Sequence, residues 1–146
     1  LAAIPLNTIG FRVFDGDFLR IIHVRNNAIA FSIGTGFPDI VRQILFIALP
    51  AIVIAYVIYY CLRSDDFTIF QRWLIAGAIG GGLGNLVDRI FRNGLVIDYI
   101  DVKFYGIFGW ERFPTFNLAD ASIVVCGILL MLSFILSLRG KDEQKG

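Results

Sequence analysis

The longest run of apolar side chains extends from Ile44 to Leu62, with Pro50 inside it. Its length is close to the roughly 20 residues a helix needs to cross a hydrocarbon core. Pro50 predicts a kink, because its ring removes a donor and a neighbour must satisfy the carbonyl that this frees. A second run, Ala121 to Leu138, is almost as apolar. A third, Phe70 to Ile90, is diluted by Gly77, Gly80, Gly81, Gly82, Gly84, Asn85 and Asp88. The pattern predicts a membrane α-helical bundle with three visible spans at 44–62, 70–90 and 121–138.

Between the spans the pattern changes. Residues 1–38 mix aromatics with charges, and Phe18 to Arg25 is strand-like. Asn93-Gly94 is a turn signal, and Val96 to Tyr105 follows it with period-two alternation. Segments 1–38 and 91–116 therefore predict a small β-rich platform. Three crossings place both segments on one side, and the loop at Ser64-Asp65-Asp66 on the other with the Lys141–Lys145 tail. The tail side is read as cytoplasmic and the platform as extracytoplasmic, although Lys and Arg counts alone do not fix the orientation. Tyr105, Phe108 and Trp110 suit the headgroup zone of a bilayer.

Composition agrees with a lipid solvent. Hydrophobic residues make up 57% of the 146 and charged residues only 17%, whereas a soluble domain carries roughly a quarter charged. A net charge of +1 excludes a nucleic-acid partner, which would need a basic excess. Cys61 and Cys126 lie inside apolar runs and read as small hydrophobes rather than a disulfide. Two thiols and the single His23 show no zinc-ligand spacing. No basic segment followed by an apolar run opens the chain at Leu1, so its start reads as internal rather than as a signal peptide. Gly77 and Gly81, like Gly80 and Gly84, stand four apart, a spacing that lets helices approach closely in lipid. Gly80 to Asn85 does not complete a phosphate-binding fingerprint.

Ionisable groups at a membrane edge are costly and so are candidates for function. Asp88, Asp98 and Asp120 qualify. In the alternating segment Val96, Asp98, Ile100, Val102 and Phe104 share one face, which sets Asp98 among apolar neighbours. Asp101 falls on the other face beside Lys103, where it is expected to meet water. Asp120 follows Asn117 by three residues at the head of the last span, so helix capping explains it as well as chemistry does. Asp88 and Arg89 close the middle span, where they either balance local charge or position the other carboxylates. No serine elbow or Cys–His pair is evident, and the lysines are badly placed for a Ser–Lys site. Hydrolysis, if any, falls to carboxylates.

Asn85 to Arg89, Val96 to Tyr99 and Phe116 to Ala121 resemble three signature blocks of lipoprotein signal peptidase, also called signal peptidase II. Those blocks read roughly Gly-Asn-x-x-Asp-Arg, Val-x-Asp-Phe and Phe-Asn-x-Ala-Asp. A fourth block, Asn-x-Gly-x-Ala-Phe-Ser, resembles Asn26 to Ser32, with Ala28 in place of glycine; Tyr99 stands where phenylalanine is common. The resemblance runs from about residue 20 to residue 138. It implies that Asp98 and Asp120 form a catalytic dyad, and that Asn26, Gly84, Asn85, Asp88, Arg89 and Asn117 support the site or the substrate. It implies a peptidase of the bacterial cytoplasmic (inner) membrane that acts at the extracytoplasmic face, needs no metal or other cofactor, and is blocked by globomycin. The substrates it implies are prolipoproteins already carrying a diacylglyceryl group on the cysteine after the cleavage site. It also implies a fourth span, carrying an aspartate, ahead of Leu1. Lipids are expected around the chain, which is expected to be monomeric.

Two other classes fit parts of the pattern. A small transporter or channel subunit would use Asp88, Arg89 and Asp120 to line a polar path. A non-catalytic scaffold would use only the glycine seam.

Overall fold

The computed structural model describes residues 4–13, 16–26 and 36–143, with side chains as far as residue 138. Asn27 to Ser32 of the fourth block, and the charged tail side chains, lie outside the described residues. Among the described residues, three helices are long and apolar enough to cross a membrane: α1 (Asp39–Arg63), α2 (Ile69–Phe91) and α3 (Leu118–Glu143, apolar to Leu138). Their outward faces stay exposed, with Ile52, Leu62, Trp73, Val124 and Leu136 among the uncovered side chains. Apolar surface left open over whole helices is compatible with lipid rather than water as solvent.

α1 shows how the proline is accommodated. The helix starts at Asp39, widens to a π turn over Ile44–Ala48 and resumes as α-helix from Leu49. At that turn the Leu49 amide donates to the Ile44 carbonyl, five residues back. The wide turn lies immediately ahead of Pro50, whose ring crowds the carbonyl four residues before it. The strain is thus taken up by one loosened turn within a continuous helix.

α2 begins with a reciprocal cap: Thr68 Oγ1 accepts from the Gln71 amide (3.2 Å) and Gln71 Oε1 accepts from the Thr68 amide (3.0 Å). Gln71, fully buried, also donates to Ser133 Oγ of α3 (3.2 Å). Arg72 donates to the carbonyls of Cys61 (2.5 Å) and Ser64 (2.6 Å), which closes the end of α1. Farther along, a Cβ on Gly77 would lie 2.6 Å from Cys126 Sγ, and one on Gly81 would lie 2.5 Å from the Ala119 carbonyl oxygen. Ser122 Oγ donates to the Gly77 carbonyl at 2.9 Å. The close crossing is therefore between α2 and α3, through Gly77 and Gly81. The second spacing does not share it: Gly80 faces open space, and Gly84 only approaches the Ala119 methyl.

A four-stranded antiparallel sheet completes the fold: β1 (Ile9–Val13), β2 (Leu19–Asn26), β3 (Val96–Ile107) and β4 (Trp110–Arg112), in that spatial order. β2 precedes α1 and β3 lies between α2 and α3, so their pairing joins the segment before α1 to the α2–α3 connection at one end of the bundle. Val24 stands opposite Asp98, and Asn26 opposite Val96. β1 was not evident in the sequence pattern, since its exposed residues carry little periodicity.

Asp101 departs from expectation. It is 5% exposed rather than facing water. Arg112 of β4 folds over it and donates from Nε to both carboxylate oxygens at 2.7 and 2.8 Å, while Nη1 donates to the Asp17 carbonyl at 3.1 Å. The short strand β4 covers a face that a two-stranded reading leaves open.

Candidate active site

β3 delivers Asp98, the end of α2 delivers Asn85, Asp88 and Arg89, and the start of α3 delivers Asn117 and Asp120. The junction between β3 and α3 is tied by backbone bonds: the Ile100 amide donates to the Phe116 carbonyl (2.8 Å) and the Phe116 amide to the Ile100 carbonyl (3.1 Å). The first amide of α3, on Leu118, donates to Tyr99 Oη at 3.2 Å. This hydroxyl is absent from the phenylalanine that the signature block prescribes, and its contact with α3 had no sequence signal.

Asp98 is 3% exposed. Asn26 Nδ2 donates to its Oδ2 at 2.8 Å and Asn117 Nδ2 to its Oδ1 at 2.9 Å. Burial lifts its pKa above the ordinary carboxylate value, and the nearby Asp120 charge adds to the rise. The two amide donors and the Arg89 guanidinium pull in the opposite direction without reversing it.

Asp120 carries two tasks. One carboxylate oxygen accepts from the Asn117 amide at 3.1 Å, while Asn117 Oδ1 accepts from the Asp120 amide at 3.0 Å. That pair is a reciprocal helix cap. The other oxygen accepts from Asn85 Nδ2 at 2.7 Å. Asn117 Nδ2 donates also to Asn85 Oδ1 at 3.1 Å. A continuous set of side-chain amides therefore joins Asp98, through Asn117 and Asn85, to Asp120. Capping and membership of this net are compatible because they use different oxygens.

Arg89 donates to the Asn85 carbonyl (3.5 Å) and lies in the electrostatic field of Asp120, Asp98 and Asp88. Asp88 holds Arg92 (2.9 Å) and accepts from the Ile97 amide (3.3 Å), which fixes the start of β3 just ahead of Asp98. Gly84 presents no side chain to the net; it touches Ala119 and so keeps α2 close to the head of α3. A cleft of about 530 Å3 opens beside the net between the start of α1 and the end of α2, lined by Arg42, Phe46, Arg89, Asn93 and Leu95 among others.

A helical membrane scaffold with a small sheet, holding two carboxylates in one hydrogen-bonded net at the end of its spans, has the make-up of a membrane aspartic peptidase. The profile described as Signal peptidase (SPase) II matches residues 2–136, and the chain belongs to that family. It is 50% identical to the lipoprotein signal peptidase of Treponema pallidum over 134 residues, covering 92% of this chain and 72% of that protein. With the lipoprotein signal peptidase of Borreliella burgdorferi it shares 42% identity over 142 residues, 97% of this chain and 81% of that one. A solved bacterial membrane enzyme, 28% identical, superposes with a TM-score of 0.78 over 94% of this chain and 76% of its own.

Proposed function

We propose that Asp98 and Asp120 are the catalytic dyad of an aspartic endopeptidase that removes signal peptides from diacylglyceryl-modified prolipoproteins, cutting before the lipid-modified cysteine. The observation that carries the assignment is the amide net, in which Asn117 holds Asp98 directly and reaches Asp120 through Asn85. Two neighbouring carboxylates share one proton more readily than they both ionise.

Asp98, whose burial favours the neutral form, holds the proton in the resting enzyme. Asp120, ionised, takes a proton from the attacking water as that water adds to the scissile carbonyl. Asp98 hydrogen-bonds the carbonyl oxygen as charge develops there, and the proton gained by Asp120 goes to the leaving amine. Asn26, Asn85 and Asn117 keep the acids aligned. Asp88 sets the start of β3, Gly84 keeps α2 and α3 close, and Arg89 balances the acidic charge and reaches the cleft.

Membrane location supplies orientation. A signal-peptide helix and a lipid-modified cysteine both partition into the bilayer, so a site at the end of the spans meets them already confined. The working assembly is a monomer in the bacterial cytoplasmic membrane with the platform on the extracytoplasmic face. The strands β1 to β4 contribute that platform and the three helices anchor it. The test is replacement of Asp98 or Asp120 by Asn, followed by cleavage of a lipid-modified precursor in membranes. Each variant is expected to insert normally and lose activity by at least about a hundredfold; normal cleavage by either would overturn the dyad. Solute flux without processing would instead favour the transporter reading.

A further inference from the structure

The hairpin joining β3 to β4 carries strain that nothing among the described residues offsets. Ile107 pairs with Trp110 across a two-residue turn. Both central residues, Phe108 (φ 55) and Gly109 (φ 80), have positive φ, as a tight hairpin turn of this hand requires. Glycine, asparagine and aspartate occupy the first position with little strain; a bulky aromatic does not. Phe108 is nevertheless there, 87% exposed. Three residues earlier Tyr105 repeats the feature, with φ 53 and 65% exposure. Ile107 and Trp110 beside them are exposed as well. Two left-handed aromatics within one hairpin tip stay mostly exposed, so burial among the described residues does not offset the strain.

A second observation connects this tip to the site. Trp110 and Phe113 rings meet edge-on with centroids 6.0 Å apart, and Phe113 and Phe116 do so at 5.7 Å. Phe116 directly precedes Asn117. Lys103 Nζ stands 5.3 Å over the Tyr105 ring and pairs with Glu111 of β4 at 3.6 Å and Asp17 at 3.9 Å. Aromatic rings, an aliphatic side chain and a flanking cation make up the side-chain set of a membrane interface, where amphipathic rings sit at headgroup level.

We infer that the Tyr105–Trp110 hairpin tip is a lipid anchor: it inserts its aromatic rings into the headgroup region of the bilayer that α1, α2 and α3 cross, and so holds the far end of the platform to the membrane. Its occupant is bilayer lipid. Protein-free lipid is the one partner present wherever the three helices are embedded, and the strain is confined to side chains whose chemistry matches it. Anchoring here sets the height of the aromatic row, and through Phe116 the height of the amide net, above the hydrocarbon.

The inference can be tested without cleavage, so its failure is distinct from failure of the dyad. The chain is reconstituted in phosphatidylcholine–phosphatidylglycerol vesicles with acyl chains brominated near the headgroup, in a Trp73→Phe background that leaves Trp110 as the only indole. Trp110 emission is expected to fall by about half relative to unbrominated vesicles, as for an indole held at the interface. Adding Phe108→Asp is expected to relieve most of that quenching. Unquenched Trp110, or quenching unaffected by Asp at position 108, overturns the anchor. Should Trp73→Phe not fold, the difference between the wild-type chain and Trp110→Phe gives the same reading.

Discussion

Asn117 answers three demands at once. Its carbonyl oxygen caps α3, and its amide nitrogen holds Asp98 and Asn85. Substitutions can separate these demands. Asn117→Ala removes all of them and is expected to lower stability by about 1 kcal/mol, the usual effect of losing a cap. Asn117→Ser retains a good cap but cannot reach Asp98, so its melting temperature should stay near wild type while precursor cleavage falls at least about tenfold. Wild-type turnover by Asn117→Ser would show that the bridge to Asp98 is dispensable. Asp98 itself predicts a pH effect. Its folded-state pKa lies above the ordinary 3.8, so between those values the folded chain binds more protons than the unfolded one. Stability contributed by the protonated form is therefore lost as pH rises through that window. Melting curves of Asp98→Asn and wild type should diverge in favour of the variant with rising pH, and a constant difference would refute the buried carboxyl. If Asp98 is the proton holder proposed above, the basic limb of the cleavage profile should follow the same group.

At the scale of elements, α2 and α3 illustrate what a sequence pattern conveys. Glycines four apart announced a close crossing, but two such pairs overlap on α2 and only the three-dimensional packing distinguishes them. Gly81→Ala is expected to drive a methyl against the Ala119 carbonyl, lowering stability by about 1–3 kcal/mol. Because Ala119 precedes Asp120, cleavage should fall with it. Gly80→Ala meets nothing and should be silent in both assays; equal behaviour of the two variants would contradict the seam. The spans were legible because a membrane helix needs a long apolar run, and the alternation of β3 correctly buried Asp98. The π turn before Pro50 was not legible, since a kinked and a widened helix satisfy the same residues. Asp101 was misplaced for a similar reason: period two specifies a face, and only β4 decides whether that face is covered.

For the molecule as a whole, the platform is secured by charge where the bundle is secured by close packing. Arg112 connects β4 to Asp101 of β3 and to Asp17 before β2. Arg112→Ala takes the Nε donor from the buried Asp101, leaving Arg20 Nη1 at 3.9 Å beside it, and is expected to destabilise the platform by about 1–3 kcal/mol. Combining Arg112→Leu with Asp101→Leu should recover most of the loss. Hydrogen exchange of β3 and β4 amides would measure both; unchanged exchange in Arg112→Ala would show that the pair is inert. The signature blocks singled out Asp88, Asp98 and Asp120 although these come from α2, β3 and α3, with Asn26 added from β2, but no sequence spacing revealed which amide touches which acid. The shared use of groups in that net bears on inhibition. A compound that grips Asn85, Asn117 and the two aspartates contacts atoms that already hold helix ends and acids together. A substitution that weakens its hold also disturbs the mount of the chemistry, so resistance by a single change within the net should come at a heavy loss of fitness, and escape is pushed outward to the rim of the cleft.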